Sequence, residues 1–313
     1  MRDSPLVICG LPRYAGLADN RFWMTVNCAV GLPNVGEYGD PRLLVALAEE
    51  AEAAGWAGVF VWDHVAYRER GWPVADPYVV VAAIAAATSR VRVGVLVSAL
   101  ARRRPWKLAR ETASLDLLSG GRLVVGAGLG SQAHEEFAAF GEDPAPRVRA
   151  AKLDEGLAIL VGLWSGEVFS HHGRYYTVDE TVFRPRPLQR PRIPIWVAGR
   201  WPARPPFRRA ARWDGVFATF DGVGHAQTPD PAQLAAVVKY TLSHRAAADT
   251  PFDVVIEGQS SGVDPGLLAP FEAVGLTWWI EKLGWFRGSV DAARERVRRG
   301  PPAPAHPGKS SRP

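Results

Sequence analysis

A histidine stands at the end of a run that alternates like a β-strand. In VFVWDH, residues 59–64, apolar residues lead into Asp63 and His64, so a carboxylate and an imidazole arrive together where a strand gives way to a loop. An imidazole in that position can take or give a proton near neutral pH, although a lone histidine is also well explained as a satisfied structural group. The stretch GRLVVGAGLG, residues 121–130, offers Gly126, Gly128 and Gly130, which either let backbone amides approach a ligand or make a tight strand-to-loop turn. Ser131 occupies the place where a dinucleotide fingerprint needs its third glycine. Ala198, Gly199 and Arg200 join a small backbone step to a guanidinium suited to phosphate, with an ordinary loop arginine as the alternative. His171 and His172 have no third ligand nearby in sequence, so they read as exposed polar residues of a hairpin rather than as a metal site.

These groups are positioned by a repeating pattern. Short β-rich runs over 25–31, 57–62, 91–98, 122–127, 195–198, 215–218, 252–257 and 276–281 alternate with amphipathic helical stretches over 79–88, 105–118, 148–164, 205–212, 231–245, 266–274 and 290–299. A further helix opens at Asp40 and Pro41, an N-cap followed by a first-turn proline, and runs to Gly55. Eight strands and eight helices within residues 24–299 predict a (β/α)8 TIM barrel, with a doubly wound sheet as the alternative. Residues 165–194 form the longest excursion and are expected as a hairpin insertion on the barrel rim. Residues 1–23, which have no clear period, are expected as an N-terminal extension, and the proline-rich residues 300–313 as a disordered tail. Trp278 and Trp279 must point to opposite faces of the last strand, one toward the core and one toward a pocket.

In a barrel of this kind the reactive groups gather at the C-terminal ends of the strands. There the pattern places Asn34, Asp63, His64, Ser98, Arg102 to Arg104, Gly128, Gly199, Arg200, Asp221, Glu257 and Glu281. With no lysine at an expected strand end, a Schiff-base aldolase is disfavoured, and too few histidines stand there for a metal-dependent hydrolase. The chain of 313 residues is 47% apolar with a net charge of +5, but only five of its 37 basic side chains are lysine. That arginine bias, with abundant alanine, glycine and proline, reflects GC-rich coding, and no basic stripe interleaved with aromatics points to nucleic acid. Two cysteines, Cys9 and Cys28, and the absence of an uninterrupted apolar span predict a cytoplasmic protein with no membrane association.

Taken together, NVGEYGDPRLLVALAEEAEAAGWAGVFVWDH, TSRVRVGVLVSAL, RRRPWKLARETASLDLLSGGRLVVGAGLG, LDEGLAILVGLWSGEVFSHHGRYY and PRIPIWVAGRWPARPPFRRAARWDGV resemble, in order, the bacterial luciferase-like flavin-dependent oxidoreductases. The resemblance spans residues 24–299 and implies a barrel that binds FMN or the deazaflavin F420 in its mouth. It implies a non-proline cis peptide at Leu96-Val97 against the ring, cofactor contacts at Gly128, Leu129, Ala198, Gly199 and Arg200, and His64 as the active-site histidine. The implied reaction is hydride transfer to, or monooxygenation of, a small organic substrate, with a cofactor-binding protein without turnover as the alternative. A homodimer and a separate flavin or F420 reductase are compatible with the resemblance. The sequence departs from the deazaflavin-dependent sugar-phosphate dehydrogenases, which carry a glutamate where Ser131 stands and a tryptophan near the place of Arg68. A sugar phosphate is therefore disfavoured as substrate.

Overall fold

Runs of β-branched and small residues that are buried on both faces cannot lie at the surface of a sheet, and here they close on themselves. The computed structural model describes residues 26–246, 250–262, 264 and 266–302. Its strands are β1 (Asn27–Leu32), β2 (Gly58–Val61), β3 (Arg92–Ala99), β4 (Leu123–Gly128), β5 (Val168–His172), β6 (Thr177–Val182), β7 (Ile195–Trp201), β8 (Gly215–Phe220), β9 (Asp253–Gly258) and β10 (Trp278–Lys282). All but β5 and β6 pair in parallel as a closed barrel in the order β1-β10-β9-β8-β7-β4-β3-β2. This is the (β/α)8 barrel the alternation predicted. Among the described residues no helix is long and apolar enough to cross a membrane.

The crossover helices are α1 (Pro41–Ala53), α2 (Pro77–Ala87), α3 (Pro105–Leu118), α5 (Pro146–Trp164), α6 (Pro205–Ala210), α7 (Pro231–Leu242) and α8 (Ala269–Glu272), with α9 (Val290–Arg298) closing the ring and α4 (Ala133–Glu136) a single turn after β4. Aspartate caps fix several starts. Asp40 accepts from the Arg42 amide, Asp76 from those of Tyr78 and Val79, and Asp230 forms a capping box with Gln233. Helix α8 is far shorter than the pattern over 266–274 predicted, a single turn of four residues that ends before Gly275, which takes positive φ.

Two apolar layers result. Ala29, Phe60, Leu96, Val124, Trp196, Phe217, Val255, Trp278 and Ile280 fill the barrel interior, while the outer faces of the strands pack against the helices. Trp278 points inward and Trp279 outward against Phe271, as alternation requires. The insertion is an antiparallel hairpin of β5 and β6 on the outer helical layer. Phe169 fits against Gly162 of α5, where any Cβ would stand 2.0 Å from its ring, and Glu155 accepts from the amides of Arg174, Tyr175 and Tyr176. Strand β10 ends later than its run predicted, at Lys282, so a lysine does close a barrel strand, contrary to the sequence expectation. The expected extension 1–23 lies outside the described residues, as does the tail from 303 onward, while the carbonyl of Gly300 accepts from Arg296 at 2.7 Å.

Candidate active site

The mouth is built outward from Asp63, the first carboxylate beyond β2. It accepts from the Ala99 amide at 3.0 Å and from Arg103 at 2.7 Å, and Arg102 reaches both its carboxylate and its backbone carbonyl. Burial opposes ionisation of this carboxyl, but the two guanidiniums and the Ala99 amide outweigh it and hold the group below its usual range. Arg104 stands at the N-cap of α3, while Arg102 and Arg103 precede it. They belong to a 3-10 turn and the bend before α3, and tie the ends of β2 and β3 together.

His64 is held from three sides. Asn34, fully buried after β1, donates to the His64 carbonyl at 2.9 Å and accepts from its amide at 3.3 Å. The Nδ1 atom lies 3.0 Å from Oε1 of Glu136, on α4, and the same oxygen accepts from the Val65 amide at 3.0 Å. The other Glu136 oxygen accepts from Arg102 at 3.3 Å. A carboxylate can only accept here, so Nδ1 carries the proton, and Nε2 has no protein partner among the described residues. The result is an oriented imidazole with one nitrogen free for proton exchange. Tyr67 meets the ring edge-on at 4.8 Å.

Glu136 is the functional residue that sequence reasoning missed. It lies in a short HEEF turn with no apolar period, 72 residues from its partner, so no local pattern marks it.

The expected cofactor residues lie on or directly after the adjoining strands β3, β4 and β7. The Leu96-Val97 peptide is cis, at a register shift between Val95 and Ser98 on β3. A Cβ at Gly128 would stand 2.7 Å from Val97 Cγ2 and 3.4 Å from the Ala198 Cβ, which brings Val97, Gly128 and Ala198 together, with Leu96 in the same interior cluster. Gly199 is required by packing, since a side chain there would meet Pro206 and Phe207 at 2.9 and 3.0 Å. Arg200, on the neighbouring strand β7, is 64% exposed and only 3.8 Å from Asp221.

Behind the glycine loop, Arg149 of α5 donates to the carbonyls of Leu129 and Gly130 at 3.2 and 3.0 Å. In a planar trans peptide the N–H points opposite to the C=O, so the amides of Gly130 and Ser131 face away from Arg149. Among the described residues neither amide has an acceptor. Two free N–H groups backed by a buried guanidinium form an anion cradle, and the cradle fits the phosphate of a flavin or deazaflavin. The apolar floor of Leu96, Val97 and Ala198 fits the ring.

The remaining rim is aromatic. Trp62, Phe286 and His225 lie nearly parallel, Trp62 to Phe286 at 6.4 Å and 10° and His225 to Phe286 at 5.3 Å and 23°. Tyr67, Trp72 and Trp285 continue the wall. His171 lies 3.5 Å from Glu155, and among the described residues no group of three metal-binding side chains occurs.

Residues 22–258 match the family model of the luciferase-like monooxygenases. The chain belongs to that family. Relatives within and near it include an uncharacterized protein of Mycobacterium tuberculosis, 34% identical over 69% of this chain and 76% of that one. An F420-dependent glucose-6-phosphate dehydrogenase of Beutenbergia cavernae is 33% identical over 74% of this chain and 68% of its own. Among solved structures, monooxygenase RslO1 from Streptomyces bottropensis superposes with a TM-score of 0.64 at 27% identity, covering 75% of this chain and 71% of that one. The chain is thus similar both to an F420-dependent dehydrogenase and to a monooxygenase.

Proposed function

We propose that this chain is an oxidoreductase that binds F420 in the barrel mouth and transfers a hydride to or from a small organic substrate. The observation that carries the reading is the His64–Glu136 pair, which leaves Nε2 free at the mouth while the carboxylate holds Nδ1. Hydride transfer at a carbonyl or alcohol needs a partner that moves a proton, and His64 is that partner. When bound, the cofactor supplies the hydride acceptor or donor. Leu96, Val97 and Ala198 would support its ring, the backbone at Gly128, Leu129 and Gly199 would lie beside it, and Arg200 with the amides of Gly130 and Ser131 would hold its phosphate. Asp63, Arg102 and Asn34 hold the histidine in register. The similarity to the Beutenbergia dehydrogenase supports F420.

A second reading, an FMN-dependent monooxygenase served by a separate reductase, is favoured by the likeness to RslO1. A cytoplasmic setting suits both. Absorbance titration of the purified protein with F420 and with FMN separates them. Saturable binding of F420, followed by bleaching of its visible band with an alcohol from a substrate panel, is the expected result. Binding of FMN alone would replace the first reading with the second, and F420 binding without turnover on any substrate would leave a binding protein.

A further inference from the structure

The barrel interior carries an ion pair that the proton machinery does not use. Lys282 Nζ stands 3.2 Å from Glu257 Oε2, and both side chains are largely buried. Strand alternation puts the two above the last apolar layer: Val255 and Ile280 face inward, so Glu257 and Lys282, two residues further along β9 and β10, do so at mouth level. A Cβ at Gly31 of β1 would lie 3.8 Å from Glu257 Oε1, which locates the carboxylate beside the first strand. A buried ion pair is seldom the stabler choice over an apolar pair of similar volume, so stability does not account for it. The ammonium has three protons and the carboxylate four lone-pair positions, yet among the described residues their side chains have only each other as polar partners.

We propose that Lys282 and Glu257 are the polar end of the substrate pocket, and that they select a flat, uncharged, conjugated molecule carrying a hydrogen-bond donor next to a carbonyl, such as a lactam or a hydroxy-ketone. The inference rests on the mouth being the substrate site, as proposed above. Lys282 presents donors to the carbonyl and Glu257 accepts from the adjacent N–H or O–H. The pair is self-neutralised, so a phosphate or lone carboxylate would find the ammonium already matched and a second carboxylate beside it. The shelf supplied by Trp62, His225 and Phe286 suits a planar body. Partial burial and then the Lys282 charge hold the His225 imidazole below its usual range, so the shelf stays uncharged.

Calorimetric titration with 2-quinolone, a lactam on a fused ring, and with 2-methoxyquinoline, the same skeleton lacking the N–H, tests this on the intact wild-type chain. The lactam is expected to bind at least about tenfold tighter, and Lys282→Met and Glu257→Met, which remove the donor and the acceptor, are each expected to abolish that preference. Equal affinities, no binding of either probe, or a preference unchanged in folded variants would overturn the proposal. F420 titration run on the same samples keeps the two readings apart, because cofactor binding that survives without lactam preference removes only the pocket assignment.

Discussion

Replacing Glu136 with Gln keeps the volume of the side chain and removes its charge. The amide oxygen can still accept from His64 Nδ1 and the Val65 amide, both now at 3.0 Å, but the NH2 group must then face Arg102, a donor against a donor, where the carboxylate oxygen stood at 3.3 Å. One charge-assisted contact is lost in a fully buried setting, about 1.5–3 kcal/mol. At about 2–4 °C per kcal/mol for a domain of this general size, the melting temperature should fall by about 3–12 °C. Asp63 remains as a partner for Arg102, so the fold should survive. Turnover should drop by about ten- to a hundredfold, since the imidazolium formed during proton transfer loses its counter-charge but keeps its orientation. Glu136→Ala, which loses the orientation too, should fall further in kcat while the cofactor Kd stays within a few-fold. The assay is steady-state kinetics beside absorbance titration and a thermal melt on the same samples. A folded Glu136→Gln protein with wild-type kcat would show that the carboxylate merely props the loop.

Other consequences are equally direct. His64→Ala should lower turnover by about 10²–10⁴ with unchanged circular dichroism and cofactor affinity, and loss of the fold or normal turnover would make His64 structural. Arg200→Ala should weaken cofactor binding by about tenfold, the lower end for a charge-assisted contact because the side chain is exposed, and an unchanged Kd would remove it from the site. Asp63 has a folded-state pKa below its ordinary value of about 3.9, so its contribution to stability is complete above about pH 4 and is lost as the pH falls through the lower value. Asp63→Asn should therefore melt well below the wild type at pH 7, with the gap narrowing in acid, and a gap that does not change with pH would show that the charge is not its source.

The barrel was legible in the sequence because its signals are local. An aspartate followed by proline sets a helix start through a hydrogen bond two residues away, and Asp40 and Asp76 obey that rule. The apolar strands were found for the same reason, and His64 because it stands directly beyond one. The network around it was not legible. Glu136 reaches His64 across 72 residues, and Arg102 and Arg103 reach Asp63 across 39 and 40, from turns whose residues follow no period. Lys282 was missed through a boundary: the run read as a strand stopped at 281, and one more residue carries the inward face to the mouth. The glycine run left two readings open, and the structure contains features of both, since Gly126 and Gly128 let β3 and β4 approach while the following amides remain free.

The two sides of the mouth are held by forces that tolerate change very differently. Asn34, Asp63, Arg102 and Glu136 brace the loops after the first four barrel strands through buried charges and hydrogen bonds, so altering any one weakens a network that its partners share. The loops after β8 and β10 contribute His225, Trp285 and Phe286, which meet by ring contact alone and can be exchanged singly for other apolar groups at modest cost. Diversification of what this barrel accepts would accordingly run through His225, Trp285 and Phe286 themselves, while Arg287 between them and α9 stays fixed by its pair with the buried Glu281. A laboratory library confined to those three aromatic positions should yield altered substrate range far more often than lost folding.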